Sequence, residues 1–163
     1  MAEFLNIVLV EPEIPPNTGS IARLCGATDT VLHLVKPLGF QTDDRHLKRA
    51  GLDYWQYVSI VYWENLEEFL GAQEENRLHF VTKKVKRPYT SVAFYPGDFL
   101  VFGKETVGLP EEILRFYEDR CISIPMRNRN IRSLNLAMAA GIILYEAIRQ
   151  IEQPTIPIHQ GFP

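Results

Sequence analysis

The sequence predicts an α/β domain, a mainly parallel sheet with helices on both faces, and three observations predict it. Short apolar runs of strand length recur along the chain, punctuated by Pro, Gly and Asp. These runs are apolar at consecutive positions, so both of their faces must be covered, which is the habit of parallel strands flanked by helices. Stretches with capping signals or amphipathic spacing fall between the runs. The 163-residue length suits one domain able to bury about two-thirds of its unfolded surface without disulfides or metal. Residues 1–153 are expected to form that domain, and the Pro-rich residues 154–163 a tail that cannot continue a helix.

Leu5 to Val10 reads as the first strand, ended by Glu11-Pro12-Glu13-Ile14-Pro15-Pro16. Asn17 or Thr18 is placed to cap a helix through Cys25, Val31 to Lys36 is a second strand, and Asp43 opens a helix through Ala50. Val58 to Val61 is a third strand and Glu64 to Ala72 an amphipathic helix. Leu78 to Val81 and Phe99 to Phe102 follow as strands, and Leu109-Pro110-Glu111-Glu112 resembles a helix start with proline in the first turn. Cys121 to Ile124 is the sixth strand, after which Ser133 is placed to cap the last helix. From Leu136 to Tyr145 that helix is wholly apolar, with polar residues only from Glu146 onward. A helix lacking a polar face must be covered all round. The sheet covers one side, so a second subunit is expected on the other, where Ala137, Ala140 and Gly141 permit close approach. Burial within one chain is the competing reading.

The net charge of −3 argues against a protein that coats nucleic acid through bulk electrostatics, but the positive charge is clustered. Lys83, Lys84, Lys86 and Arg87 form one basic segment and Arg127, Arg129 and Arg132 another, and either suits an RNA backbone. Met1 to Asn6 carries Glu3 and no basic flank, and no apolar run reaches the ~18 residues of a membrane span. A cytoplasmic location without membrane contact is therefore expected. Cys25 and Cys121 show no metal-ligand or redox spacing, so buried reduced thiols and no metal are expected.

Several familiar sites are excluded by spacing. No Gly-x-Gly-x-x-Gly follows the first strand, Gly103 and Gly108 lack the Lys and Ser/Thr of a P-loop, and no Gly-x-Ser-x-Gly elbow is present. His33, His46, His79 and His159 are scattered singly and read as structural or solvated. Three other segments put polar residues at strand ends, where α/β enzymes hold their ligands. Pro15 to Arg23 places a capping residue and an arginine about two helical turns apart. Phe102 to Glu111 is a glycine-bounded loop with a carboxylate inside it, and glycine at 103 would let a ligand approach the backbone. Ile122 to Met126, followed by Ser133-Leu134-Asn135-Leu136-Ala137, sets Asn135 on a helix's first turn where it can face ligand.

In this order and at these intervals, the three segments resemble the SPOUT family of methyltransferases over nearly the whole chain. Glu11 to Gly19 together with Arg49-Ala50-Gly51-Leu52-Asp53-Tyr54 looks like the subgroup that methylates the ribose 2′-oxygen of the tRNA wobble nucleotide, cytidine or uridine 34. The resemblance implies a homodimer, a C-terminal trefoil knot that is a rare exception to unthreaded chains, and S-adenosylmethionine as methyl donor. It implies a cofactor pocket lined by Val81, Gly103, Ile124, Ser133 and Leu134, whose backbone and apolar groups suit an adenosine ring. Asn17, Arg23, Glu105 and Asn135 are its residues for chemistry, with Tyr145 on the interface helix and Arg23 reaching the pocket from the partner. Arg127, Arg129, Arg132, Lys83 and Lys84 are the RNA contacts that the charge clusters suggest.

Methyl transfer to a hydroxyl is an in-line displacement, so the protein must align the reactants and dispose of a proton. A guanidinium stays protonated at neutral pH. Arg23 is therefore read as stabilising developing alkoxide or holding a phosphate, with proton removal by solvent or Glu105 left open. Bulk introduced by Gly103→Arg or Ser133→Arg should close the pocket while the fold survives. A ribosomal RNA target, a non-catalytic RNA-binding protein and a nucleotide-binding regulator are the alternatives.

Overall fold

The computed structural model describes residues 4–41 and 53–152. Strands β1 (Asn6–Val10), β2 (Val31–Val35), β3 (Ile60–Trp63), β4 (Leu78–Val81), β5 (Phe99–Phe102) and β6 (Cys121–Ile122) form one sheet in the order β3-β2-β1-β5-β4-β6. Every pairing in it is parallel. The six strands expected from the apolar runs are all present, β4 and β5 at the expected bounds and the other four with ends moved by one or two residues. Helices α1 (Pro15–Ala27), α2 (Leu66–Gly71), α3 (Glu111–Phe116) and α4 (Leu136–Glu152) complete the described domain. The helix expected from Asp43 to Ala50, the Arg49 to Leu52 motif residues and the Pro-rich tail lie outside the described residues.

Strand pleating builds two cores, because successive side chains point to opposite faces. Ile7 and Leu9 of β1, with Leu32, Leu34, Leu100 and Phe102, pack under Ile21, Ala22 and Cys25 of α1 and Ala140, Ile143, Leu144 and Ala147 of α4. Val8, Val10, Val35, Phe80 and Val101 point the other way, against Phe69 of α2 and Leu114 of α3. Helices thus cover both faces. Cys25 and Cys121 are free and buried, and burial pushes the Cys25 thiol up to about 12.

The helix starts differ from expectation. Neither Asn17 nor Thr18 caps α1, which begins at Pro15 and Pro16 with Ile14 in the N-cap position and no capping side chain of its own. The two prolines have no N–H to leave unpaired, so the usual demand for a cap is reduced. Pro110 stands at the N-cap of α3, one place before its first turn. Asn65 caps α2, accepting from the Glu68 amide at 2.8 Å. At α4 the cap is Asn135, whose Oδ1 accepts from the amides of Ala137 (2.9 Å) and Met138 (3.3 Å), and Ser133 is exposed on the approaching loop. Along α4, Met138, Ile142 and Tyr145 form an exposed stripe opposite the buried face.

Candidate active site

The chain runs from β1 outward to β2 and β3, then resumes on the other side of β1 with β5 and β4, so the strand order reverses between β1 and β5. In parallel sheets ligands bind outside the carboxyl ends of the strands near such a reversal. A cavity of about 720 Å³ lies there, formed by the segments that leave β4, β5 and β6 and by the start of α4. Val81, Gly103, Ile124, Ser133 and Leu134 all line it, as do Asn17, Glu105, Asn135, Lys83, Lys84 and Arg132.

A polar chain ties the cavity wall together. The Glu105 carboxylate accepts from the amides of Glu13 (2.8 Å) and Ile14 (3.1 Å) and from Asn17 Nδ2 (3.2 Å). It supplies from the β5 loop the cap that α1 lacks, and its charge sits at the positive end of that helix. Asn17 Oδ1 in turn accepts from Asn135 Nδ2 at 2.9 Å, and Asn135 caps α4. The starts of two helices and one loop are thereby held in a fixed relation. Three donors already occupy Glu105, so its geometry is that of an anchor for the loop.

The same loop is fastened a second time. Lys104 Nζ donates to Glu11 Oε2 at 2.6 Å, which holds the ammonium pKa above its usual value, and Thr106 Oγ1 donates to Glu13 at 2.9 Å. Glu11 has left-handed backbone (φ 49°), an uncommon state for a residue with a Cβ. Inside the loop, Gly108 donates its amide to the Lys104 carbonyl at 2.9 Å, and its φ of 74° favours glycine. Gly103 has a different reason. A Cβ there would lie 2.1 Å from the Gly108 carbonyl carbon and 2.2 Å from the Leu109 nitrogen, so backbone packing within the loop demands glycine. The expectation that Gly103→Arg spares the fold is corrected accordingly.

Four expected residues stand outside this cavity. Arg23 is exposed on α1, its guanidinium carbon 4.8 Å from the centroid of the Tyr54 ring in a cation–π contact. Tyr145 is exposed on the outer stripe of α4. Arg127 and Arg129 are also exposed beyond the cavity, on the loop that leads to α4, while Lys83 Nζ holds the Arg132 carbonyl at 3.0 Å. Lys104, Thr106, Met126 and Leu136 were missed by sequence reasoning. The acidic pair Glu11 and Glu13 ahead of a lysine and a threonine in a later loop was the one available signal, and its pairing spans more than ninety residues. Among the described residues no three His, Cys, Asp or Glu side chains converge as metal ligands would, and no helix is long and apolar enough to cross a membrane.

A parallel sheet covered on both faces, with a ligand-sized cavity at its carboxyl edge, is the arrangement in which α/β proteins hold small-molecule ligands. The chain belongs to the SpoU rRNA methylase family, whose model matches residues 4–145. It is 51% identical over 146 residues to the tRNA (cytidine(34)-2′-O)-methyltransferase of Methylovorus glucosotrophus, covering 89% of this chain and 94% of that one. A solved structure described as giving insight into the 2-OH methylation of C/U34 on tRNA matches with a TM-score of 0.84 at 41% identity, over 92% of this chain and 97% of that one. The SpoU methyltransferase AviRb of Streptomyces viridochromogenes, in complex with the cofactor AdoMet, matches with a TM-score of 0.76 at 27% identity, over 92% of this chain and 61% of that one.

Proposed function

We propose that this chain transfers a methyl group from S-adenosylmethionine to the ribose 2′-hydroxyl of nucleotide 34, cytidine or uridine, in the anticodon loop of tRNA. The observation that carries the proposal is the 51% identity, over nearly the full length of both chains, to an enzyme bearing that name. The cavity fits the cofactor. Its volume of about 720 Å³ falls within the ~300–1,000 Å³ of small-molecule sites, and Val81, Ile124, Leu134 and Leu136 offer apolar walls to an adenine ring. Backbone groups of the Gly103 to Leu109 loop and of Ser133, which line the cavity, would hold its polar edge. When bound, S-adenosylmethionine supplies a methyl group on sulfonium and leaves as S-adenosylhomocysteine.

This chain's residues then have separate tasks. Glu105, Asn17 and Asn135 position the loop and the two helix starts, and Asn135, at the cavity rim, borders the space where a ribose would enter. Arg23 stabilises developing charge on the 2′-oxygen, or a neighbouring phosphate, in a second subunit's site. Its position outside its own cavity supports that arrangement, and the Met138, Ile142 and Tyr145 stripe beside the cavity is the surface on which the partner would dock. Lys83, Lys84, Arg127, Arg129 and Arg132 contact the RNA backbone, with no metal required. A C-terminal trefoil knot and a cytoplasmic location complete the reading. The experiment is nucleoside mass spectrometry on tRNA from a strain lacking this protein, with the purified protein added back. Loss of 2′-O-methylcytidine or 2′-O-methyluridine at position 34, restored by the protein, is expected. Intact tRNA ribose methylation with a methyl group missing from ribosomal RNA would move the assignment to the alternative substrate.

A further inference from the structure

On the flank of the sheet beyond β4 lies a second, smaller cavity of about 270 Å³, lined by His79, Arg87 and Arg120 among others. Nothing in the methyl-transfer reading uses it. His79 is only 4% exposed, and its Nε2 lies 2.9 Å from Oδ2 of the buried Asp98 carboxylate, which also accepts from the Tyr95 amide and from Arg77. A carboxylate only accepts, so Nε2 carries the hydrogen. In the neutral ring Nδ1 is then an acceptor. It has no hydrogen-bond partner among the described residues, and it is not sealed from solvent.

The two arginines are held by backbone carbonyls. Arg87 donates to the Asp119 carbonyl, and Arg120 to those of Leu78, at 3.0 Å, and Asn76. Neither forms a salt bridge among the described residues, though Asp119 also lines the cavity. Two guanidinium groups fixed in place with donors to spare, beside a buried aromatic acceptor, match what one ribonucleotide unit offers: a phosphodiester and a 2′-hydroxyl. The volume is below that of sites for whole small ligands, which suits part of a polymer. Arg87 also ends the basic segment that begins at the first cavity with Lys83 and Lys84, and residues 84 to 87 span at most ~11 Å.

We propose that this cavity is a ribose–phosphate subsite for RNA, in which Arg87 and Arg120 take a backbone phosphate and His79 Nδ1 accepts from the 2′-hydroxyl of a nucleotide other than the one methylated. The proposal rests on RNA being the substrate. Two variants test it, both measured by anisotropy of labelled tRNA and both checked for wild-type melting. Arg87→Gln, at an exposed position, should weaken binding several-fold at low salt and remove ~0.7 to 0.9 from the slope of log affinity against log salt. His79→Gln keeps an Nε2 donor for Asp98 and leaves no acceptor at the Nδ1 position, its own Oε1 being attached beside that donor. A scan of single 2′-deoxy substitutions through the anticodon arm should find one nucleotide, away from position 34, where the wild type loses about fivefold in affinity and His79→Gln loses nothing more. An unchanged salt slope in Arg87→Gln overturns the proposal. So does a deoxy scan in which both proteins respond alike, and should His79→Gln not fold, the Arg87→Gln slope decides alone. Inorganic phosphate that binds wild type and not Arg87→Gln, with tRNA affinity equal in both, would assign the cavity to a free anion and likewise overturn it. A wild type that binds tRNA without methylating it would overturn the proposed reaction and leave these binding readouts to decide the subsite.

Discussion

At the scale of single residues, His33 shows how a lone histidine in an apolar strand is used. The indole N–H of Trp63 donates to Nδ1 at 3.0 Å, so Nε2 carries the proton and donates to Asn6 Oδ1 at 3.0 Å. The ring packs among Trp63, Phe69 and Phe99, and burial lowers its pKa from 6.5 to about 4. Between those values the unfolded chain binds a proton that the folded chain refuses. Stability is unaffected by this group above pH 6.5 and falls as the pH drops through that window, by about 3 kcal/mol at pH 4. Urea denaturation of wild type and His33→Gln at pH 7 and pH 4 should show that the variant, weaker at neutral pH, lacks this part of the acid loss; equal losses would assign it to other groups. Gly103 makes the complementary point about space. Because a Cβ would strike backbone, Gly103→Ala should cost about 3 kcal/mol, read as a lowered urea midpoint, whereas Ser133→Arg on the exposed loop should keep wild-type stability and lose cofactor binding by calorimetry.

At the scale of elements, strands were legible and caps were not. Consecutive apolar residues such as Ile7-Val8-Leu9 must be covered on both sides wherever the chain places them, so six runs revealed six strands. Caps were read locally, from Asn17, Thr18 and Ser133, but α1 takes its cap from Glu105, an association that no local pattern records. Val81, Gly103, Ile124, Ser133 and Leu134 line one cavity because Val81 ends β4, Gly103 follows β5, and the segment from β6 to α4 carries the other three. Strand order, by contrast, depends on pairings far apart in the chain and stayed invisible. The loop ahead of α4 carries its own prediction. Arg127, Arg129 and Arg132 are exposed and have no salt bridge among the described residues, so replacing all three by Gln should leave the melting temperature unchanged. If each contacts one phosphate, the salt dependence of tRNA binding should flatten by ~2 to 3 in log-log slope. A retained slope would show the three side chains to be merely solvated.

At the scale of the whole molecule, the arrangement of α1 and α4 makes a claim about assembly. Ala140, Ile143, Leu144 and Ala147 face the sheet, so Ala140 does not serve the close approach to a partner expected of it, while Met138, Ile142 and Tyr145 remain exposed on the opposite face. The start of α4 borders the cavity through Asn135, Leu136 and Ala139, so a subunit docked on that stripe would reach the rim. Arg23 lies outside its own cavity against Tyr54 and is available to a neighbour's. If sites are shared in this way, Arg23→Ala and Ser133→Arg damage different halves of the same site. Each homodimer should be nearly inactive, Arg23→Ala by about 10² to 10³-fold through lost charge stabilisation. When the two variants are unfolded and refolded together in equal amounts, random pairing makes about half of the dimers hybrids. Each hybrid holds one site with both defects and one with neither, so about a quarter of wild-type activity should return. Native mass spectrometry counts the hybrids independently of activity. Hybrids present at that fraction with activity still at the single-variant level would place Arg23 and Ser133 in one subunit's site and remove the functional reason for α4 to be an interface.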